Sequence, residues 1–199
     1  MGGLFFGIIP PRLLIASKCR YLDCRGLISR LGIFGLSERR RARWWKMPLV
    51  WIDPIRGYVT ALLLNQAIHV ALGATGFDRF MEMLITSALM LTVLWMQTER
   101  RSCENETTQT VSPTAFLAGM IVGVLPPMAA ITALVLGAAS ALAMANFSAG
   151  YAAASLAALT SVLVFTRNIP LAILSGFLIA FPMFMSWVRR NHLVMPIRG

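Results

Sequence analysis

The sequence predicts an all-α fold: a polytopic integral membrane helix bundle with about six membrane segments, five being the alternative count. Three observations carry this. Only 13% of the residues are charged and 57% are hydrophobic, against roughly 25% charged in soluble domains. The stretch from Thr107 to Thr166 has no charged side chain at all, enough for about three crossings at about 20 residues each. The remaining charge is uneven, since residues 1–56 hold 11 of the 18 Lys and Arg but only 3 of the 8 Asp and Glu.

Residues 1–52 form a basic cytoplasmic or interfacial segment. Leu4 to Ile9 is apolar but is cut short by Pro10 and Pro11, which does not suit a signal peptide. Met1-Gly2-Gly3 lacks the Ser or Thr at position 6 that myristoylation needs. Leu27, Leu31 and Phe34 share helical spacing, yet Arg20, Asp23 and Arg30 fall beside the same face and weaken its amphipathic character. The stretch from Arg39 to Lys46 is sharper: Trp44 and Trp45 stand beside Arg39, Arg40, Arg41, Arg43 and Lys46. Indoles are at home in the headgroup layer, and the cations meet lipid phosphates there. Arg39-Arg40-Arg41 also resembles a twin-arginine signal. The following apolar stretch contains Asp53, Arg56, Asn65 and His69, which favours a retained first helix.

Residues 53–97 read as a transmembrane hairpin. Asp53 caps a helix with Pro54 at its first position, running to about residue 74. Gly73 to Gly76 turns the chain, and a second span covers about 77–97. So short a loop makes the two helices antiparallel neighbours.

Residues 98–112 are a polar cytoplasmic linker, in which the acceptor pattern Asn105-Glu106-Thr107 would be silent. Ser112-Pro113 repeats the cap-then-Pro pattern and opens a helix bundle over 113–188. Pro126-Pro127, Asn146 to Gly150 and Arg167-Asn168 divide it into helices at about 113–125, 127–145, 151–166 and 170–188. The first is too short to cross, so it either re-enters or joins the next as one kinked element. Small residues recur every four positions, at Ala115, Gly119 and Gly123, at Gly137, Ala141 and Ala145, and at Ala149, Ala153 and Ala157. That spacing predicts closely packed helices.

Residues 189–199 are a basic tail. Arg189, Arg190 and Arg198 favour a cytoplasmic C-terminus, hence an even number of crossings in a bacterial inner or equivalent membrane. The net charge of +10 flanks hydrophobic segments, which is the positive-inside pattern and not a nucleic-acid surface. Cys19, Cys24 and Cys103 fall in segments assigned to the cytoplasm, where thiols stay reduced. No Cys or His spacing suits zinc, the methionines are scattered, and no cofactor motif is present.

Four side chains stand out as a candidate site. His69 lies about six residues before the first turn and Glu82 about six after it, which brings them to similar depth at about 1.5 Å per residue. Asn65 is four residues before His69 and Asp78 four before Glu82, so each pair shares a helix face. Ionisable groups at membrane depth are costly and are paired, wet or functional. Asp53 and Arg56 form a second pair, in which Arg56 is a candidate for a lipid or substrate phosphate. The sequence Val188 to His192 after the last span resembles the C-termini of bacterial glycerol-3-phosphate acyltransferases of the acyl-phosphate type. The Gly-rich phosphate loops of that family have no counterpart here, so the family is not assigned. GxSxG, HExxH and Walker patterns are absent. The expected function is a non-enzymatic subunit of a membrane assembly or a small carrier, with lipids and other membrane proteins as partners. The alternative is a membrane-embedded, acyltransferase-like enzyme for lipid-linked or phosphate-bearing substrates, with His69 and Glu82 as acid and base.

Overall fold

A computed structural model of the chain describes residues 19–22, 24–25, 28, 48–73, 79–98, 100–102 and 108–198. Among them are six helices: α1 (Pro48–Gly73), α2 (Arg79–Gln97), α3 (Thr114–Val124), α4 (Pro127–Met144), α5 (Phe147–Thr166) and α6 (Ile169–Val188). Four of these, α2, α4, α5 and α6, are long and apolar enough to cross a bilayer, and α3 is a shorter apolar helix. The protein is therefore a multi-pass membrane protein with four such helices, where the sequence analysis expects about six segments.

Local chemistry explains the helix ends. Asn146 holds extended backbone and its side chain accepts from the Ser148 amide at 2.9 Å; Asn168 accepts likewise from the Leu171 amide at 3.0 Å. Each satisfies an amide that the first turn leaves without a partner. α5 thus starts at Phe147, earlier than expected, because Asn146 caps it and Gly150 lies inside the helix as a packing residue. α1 also starts earlier, at Pro48, and carries Pro54 within it. Pro48 supplies the N-terminal proline signal that the sequence analysis assigns to Pro54, and Asp53 bonds to Arg56 instead of serving as the cap. α3 begins at Thr114, and Pro113 before it gives no side-chain cap bond.

Small residues set the packing. A Cβ on Gly57 would overlap the Phe116 carbonyl, and one on Gly123 would stand 2.8 Å from the Ala61 Cβ. These contacts bring α1 and α3 together almost backbone to backbone. Between α4 and α5, a Cβ on Gly137 would lie 2.7 Å from the Ala154 Cβ, and one on Gly150 2.7 Å from that of Ala141. On α5 the inner stripe is Gly150, Ala154 and Ala158, one position along from the expected Ala149, Ala153 and Ala157, although Ala157 is also buried. Thr132 Oγ1 and Ser161 Oγ, 2.8 Å apart, also tie α4 to α5, and Ser155 Oγ of α5 donates to the Gly176 carbonyl of α6 at 2.8 Å.

α3 starts beside the first turns of α5, through a bond from Tyr151 to Thr114. α4 ends at that same level, next to Asn146 and α5. The two helices are thus arms of a V with its apex at Pro126-Pro127, not one kinked rod. At 11 residues, α3 rises only about 16 Å.

One end of the bundle carries a four-stranded sheet in the order β1-β4-β3-β2. β1 (Cys19–Leu22) pairs antiparallel with β4 (His192–Arg198), β3 (Thr108–Val111) runs parallel to β4, and β2 (Arg100–Ser102) closes a hairpin with β3. The helical reading holds for the bundle, and this sheet is added from stretches read as segment, linker and tail. It gathers three separate parts of the chain at a single end. Arg189 reinforces that end, its guanidinium donating to the Thr98 carbonyl at 3.3 Å.

Candidate functional site

The hairpin of α1 and α2 brings His69 and Glu82 together. His69 Nδ1 lies 2.8 Å from Glu82 Oε1; the His69 side chain is 74% exposed and that of Glu82 19%. With Glu82 as a carboxylate, which only accepts, Nδ1 is the donor of this hydrogen bond. Thr86 Oγ1 donates to the Glu82 carbonyl at 2.8 Å, one turn further along α2. Asn65 is exposed one turn before His69, and Gln66 beside it is exposed too. Asp78 lies outside the described residues, as do Arg39, Arg40, Arg41, Arg43 and Lys46.

The second pair is closed. Arg56 Nη1 donates to Asp53 Oδ1 at 2.8 Å, and the residues are 5% and 6% exposed. The Arg56 guanidinium also stands 5.5 Å from the centre of the Phe116 ring, a cation–π contact. Phe116 is itself 1% exposed, and Gly57 next to Arg56 meets its backbone. Arg56 is therefore part of the α1–α3 seam. Thirteen residues separate it from His69, about 20 Å along one helix.

A third cluster escaped the sequence analysis. The Tyr151 hydroxyl donates to Thr114 Oγ1 at 2.9 Å, Thr114 donates to Ser112 Oγ at 3.2 Å, and Ser112 and Tyr151 share a short hydrogen bond. With Ser112 donating in that last contact, each hydroxyl gives one hydrogen bond and receives one. The ring is thus closed, and Ser112, read as a helix cap, serves it instead. A tyrosine in an uncharged helix is the signal that finds such a ring, because a buried phenol takes a hydrogen-bond partner. Close by, Cys24 is buried and its thiol donates to the Ala141 carbonyl at 3.4 Å.

Comparison adds no assignment. The chain matches no protein-family model, no curated protein and no solved structure. Among the described residues no three His, Cys, Asp or Glu side chains converge as a metal site. The hairpin therefore carries the outward-facing ionisable pair, while the Asp53 and Tyr151 clusters bond inward.

Proposed function

We propose that the protein is a non-enzymatic subunit of a membrane assembly, and that the outer half of α1 is its contact with a partner helix. The observation that carries this is the exposure of Asn65, Gln66 and His69 along that half. Glu82 stands in the first turn of the apolar helix α2, so its partner His69 is level with the start of that crossing. Asn65 then lies about 6 Å deeper and Gln66 about 4.5 Å deeper. Polar side chains at such depth face protein or water, because lipid offers them no hydrogen bonds. The first half of α1 meets this requirement against α3, whereas along the second half, among the described residues, Asn65, Gln66 and His69 are exposed.

The enzyme reading draws less support. It asks His69, Glu82 and Arg56 to serve one substrate, and the helix separates Arg56 from the other two by about 20 Å. Arg56 is also engaged by Asp53.

We place the sheet end in the cytoplasm of a bacterial cell. The strands from the basic N-terminal segment, the linker and the tail meet there, and Lys- and Arg-rich segments stay on the cytoplasmic side.

A photocrosslinking amino acid placed at Gln66 in native membranes tests the subunit reading, with the exposed Val164 of α5 as reference. A discrete protein adduct at Gln66, lost in the Asn65→Ala/His69→Ala double variant and not formed at Val164, is expected. Only lipid adducts at Gln66 would overturn the proposal.

A further inference from the structure

The V between α3 and α4 holds a cavity of about 300 Å³, at the lower end of the size of small-molecule sites. Leu117 and Ile121 of α3, Ala133 and Gly137 of α4 and Ala154 of α5 line it, with Tyr151 and Cys24 toward the sheet end. Its room comes from small side chains on α4, where α3 and α4 diverge from Pro126-Pro127. It is a different part of the molecule from the α1 contact proposed above, and its occupant is independent of that reading.

Two features specify the chemistry of what fits. The polar groups at its border are already satisfied within the protein, the Tyr151 hydroxyl in its ring with Thr114 and Ser112, and the Cys24 thiol on the Ala141 carbonyl. A ligand with donors and acceptors would lose its hydration and gain little in exchange, and a cavity of this kind does not hold water well. The second feature is depth. α4 and α5 are both helices long enough to cross the bilayer, and Ala138, which lines the cavity, is exposed on α4, so the opening faces sideways. The medium beyond a lateral opening at that level is hydrocarbon.

We infer that this cavity takes one acyl chain of a bilayer lipid, entering from the side past Ala138. The chain is held by apolar contact and shape, with no hydrogen bond to the protein. Leu134, Ala141 and Leu142 line the cavity and are half-buried, so a chain in it can touch them, whereas Leu117, Ile121 and Ala133, at 1%, 3% and 0% exposed, lie behind its surface. Val122 and Ile131, on the same two helices, are 49% and 57% exposed and meet lipid in any case.

The full-length protein is reconstituted in dioleoylphosphatidylcholine vesicles containing a phosphatidylcholine with a diazirine in one acyl chain. After irradiation, adducts are located by peptide mass spectrometry. Adducts on Leu134, Ala141 or Leu142 are expected beside those on Val122 and Ile131. In Ala138→Phe and in Ala118→Phe, which place a ring in the opening or the wall, the inner adducts fall by roughly tenfold, equivalent to one decade of affinity. The outer adducts persist and report that the variant is inserted. Labelling confined to Val122 and Ile131 in the wild type overturns the inference, as do inner adducts of equal yield in both inserted variants. Where a variant also loses its outer adducts, the wild-type pattern alone decides.

Discussion

The carbonyl of Pro54 occupies the space that a Cβ on Gly119 would need. With Gly57 set against the Phe116 backbone in the same way, the α1–α3 seam is fixed by two glycines whose neighbours are main chain and cannot rotate aside. Gly119→Ala and Gly57→Ala are each expected to cost about 3 kcal/mol or more, at or beyond the upper range of overpacking. Gly176→Ala is the control, since its new Cβ would meet Leu159 at 3.4 Å, an ordinary contact. Reversible unfolding in mixed micelles measures all three, and equal losses at Gly176 and Gly119 would contradict the seam.

Asp53 and Arg56 are buried beside that seam, so each is costly without the other. Asp53→Leu should destabilise by about 3–5 kcal/mol, because it leaves a buried guanidinium without its carboxylate. Arg56→Met should do the same from the other side. The double variant Asp53→Leu/Arg56→Met is expected to be more stable than either single one, since replacing a whole buried pair by apolar groups is often nearly neutral. A double-mutant cycle on the same unfolding assay reads the coupling. Additive losses would mean that the pair contributes nothing as a pair.

Tyr151 closes the hydroxyl ring at the mouth of the V. Tyr151→Phe removes the group that both Thr114 and Ser112 contact and should cost about 1–3 kcal/mol, the penalty for buried polar groups left unsatisfied. Ser112→Ala leaves the bond from Tyr151 to Thr114 in place and should cost less. Amide hydrogen exchange at the start of α3 is expected to quicken more in the first variant than in the second. The reverse order would remove the ring as the anchor of α3.

Much of this architecture is written in one-dimensional signals, and the exceptions have physical reasons. Pro126-Pro127, Asn146 and Asn168 mark helix boundaries because backbone chemistry acts locally. The meeting of His69 and Glu82 is legible from residue counts on either side of the expected turn at Gly73 to Gly76, since helical rise is constant. The choice between adjacent alanine stripes on α5 is not, because Ala153 and Ala154 differ by one position and only the partner helix decides which faces it. Gly57 and Ala61 stand four residues apart and face α3 together, a small-residue pair that the sequence analysis passes over in favour of the longer repeats after residue 113. The sheet is least legible of all: β4 pairs with strands about 80 and 175 residues earlier, and strand pairing over such separations leaves little local pattern.

Arg39 to Lys46 lies outside the described residues, and its chemistry still yields a direct expectation. Five cations beside Trp44 and Trp45 combine charge with rings suited to the headgroup layer. Each Lys or Arg near an anionic surface contributes about 1 kcal/mol, and that attraction decays over a Debye length of about 8 Å at physiological salt. A peptide spanning residues 36–50 should therefore bind vesicles containing phosphatidylserine far better than neutral ones, and lose that preference as salt rises. Tryptophan fluorescence should shift to the blue on binding, because the indoles leave water. A Trp44→Ala/Trp45→Ala peptide should keep the salt dependence with weaker binding, whereas alanine at the five cations should abolish the lipid preference. Equal affinity for neutral and anionic vesicles would show that the cations do not meet headgroup phosphates.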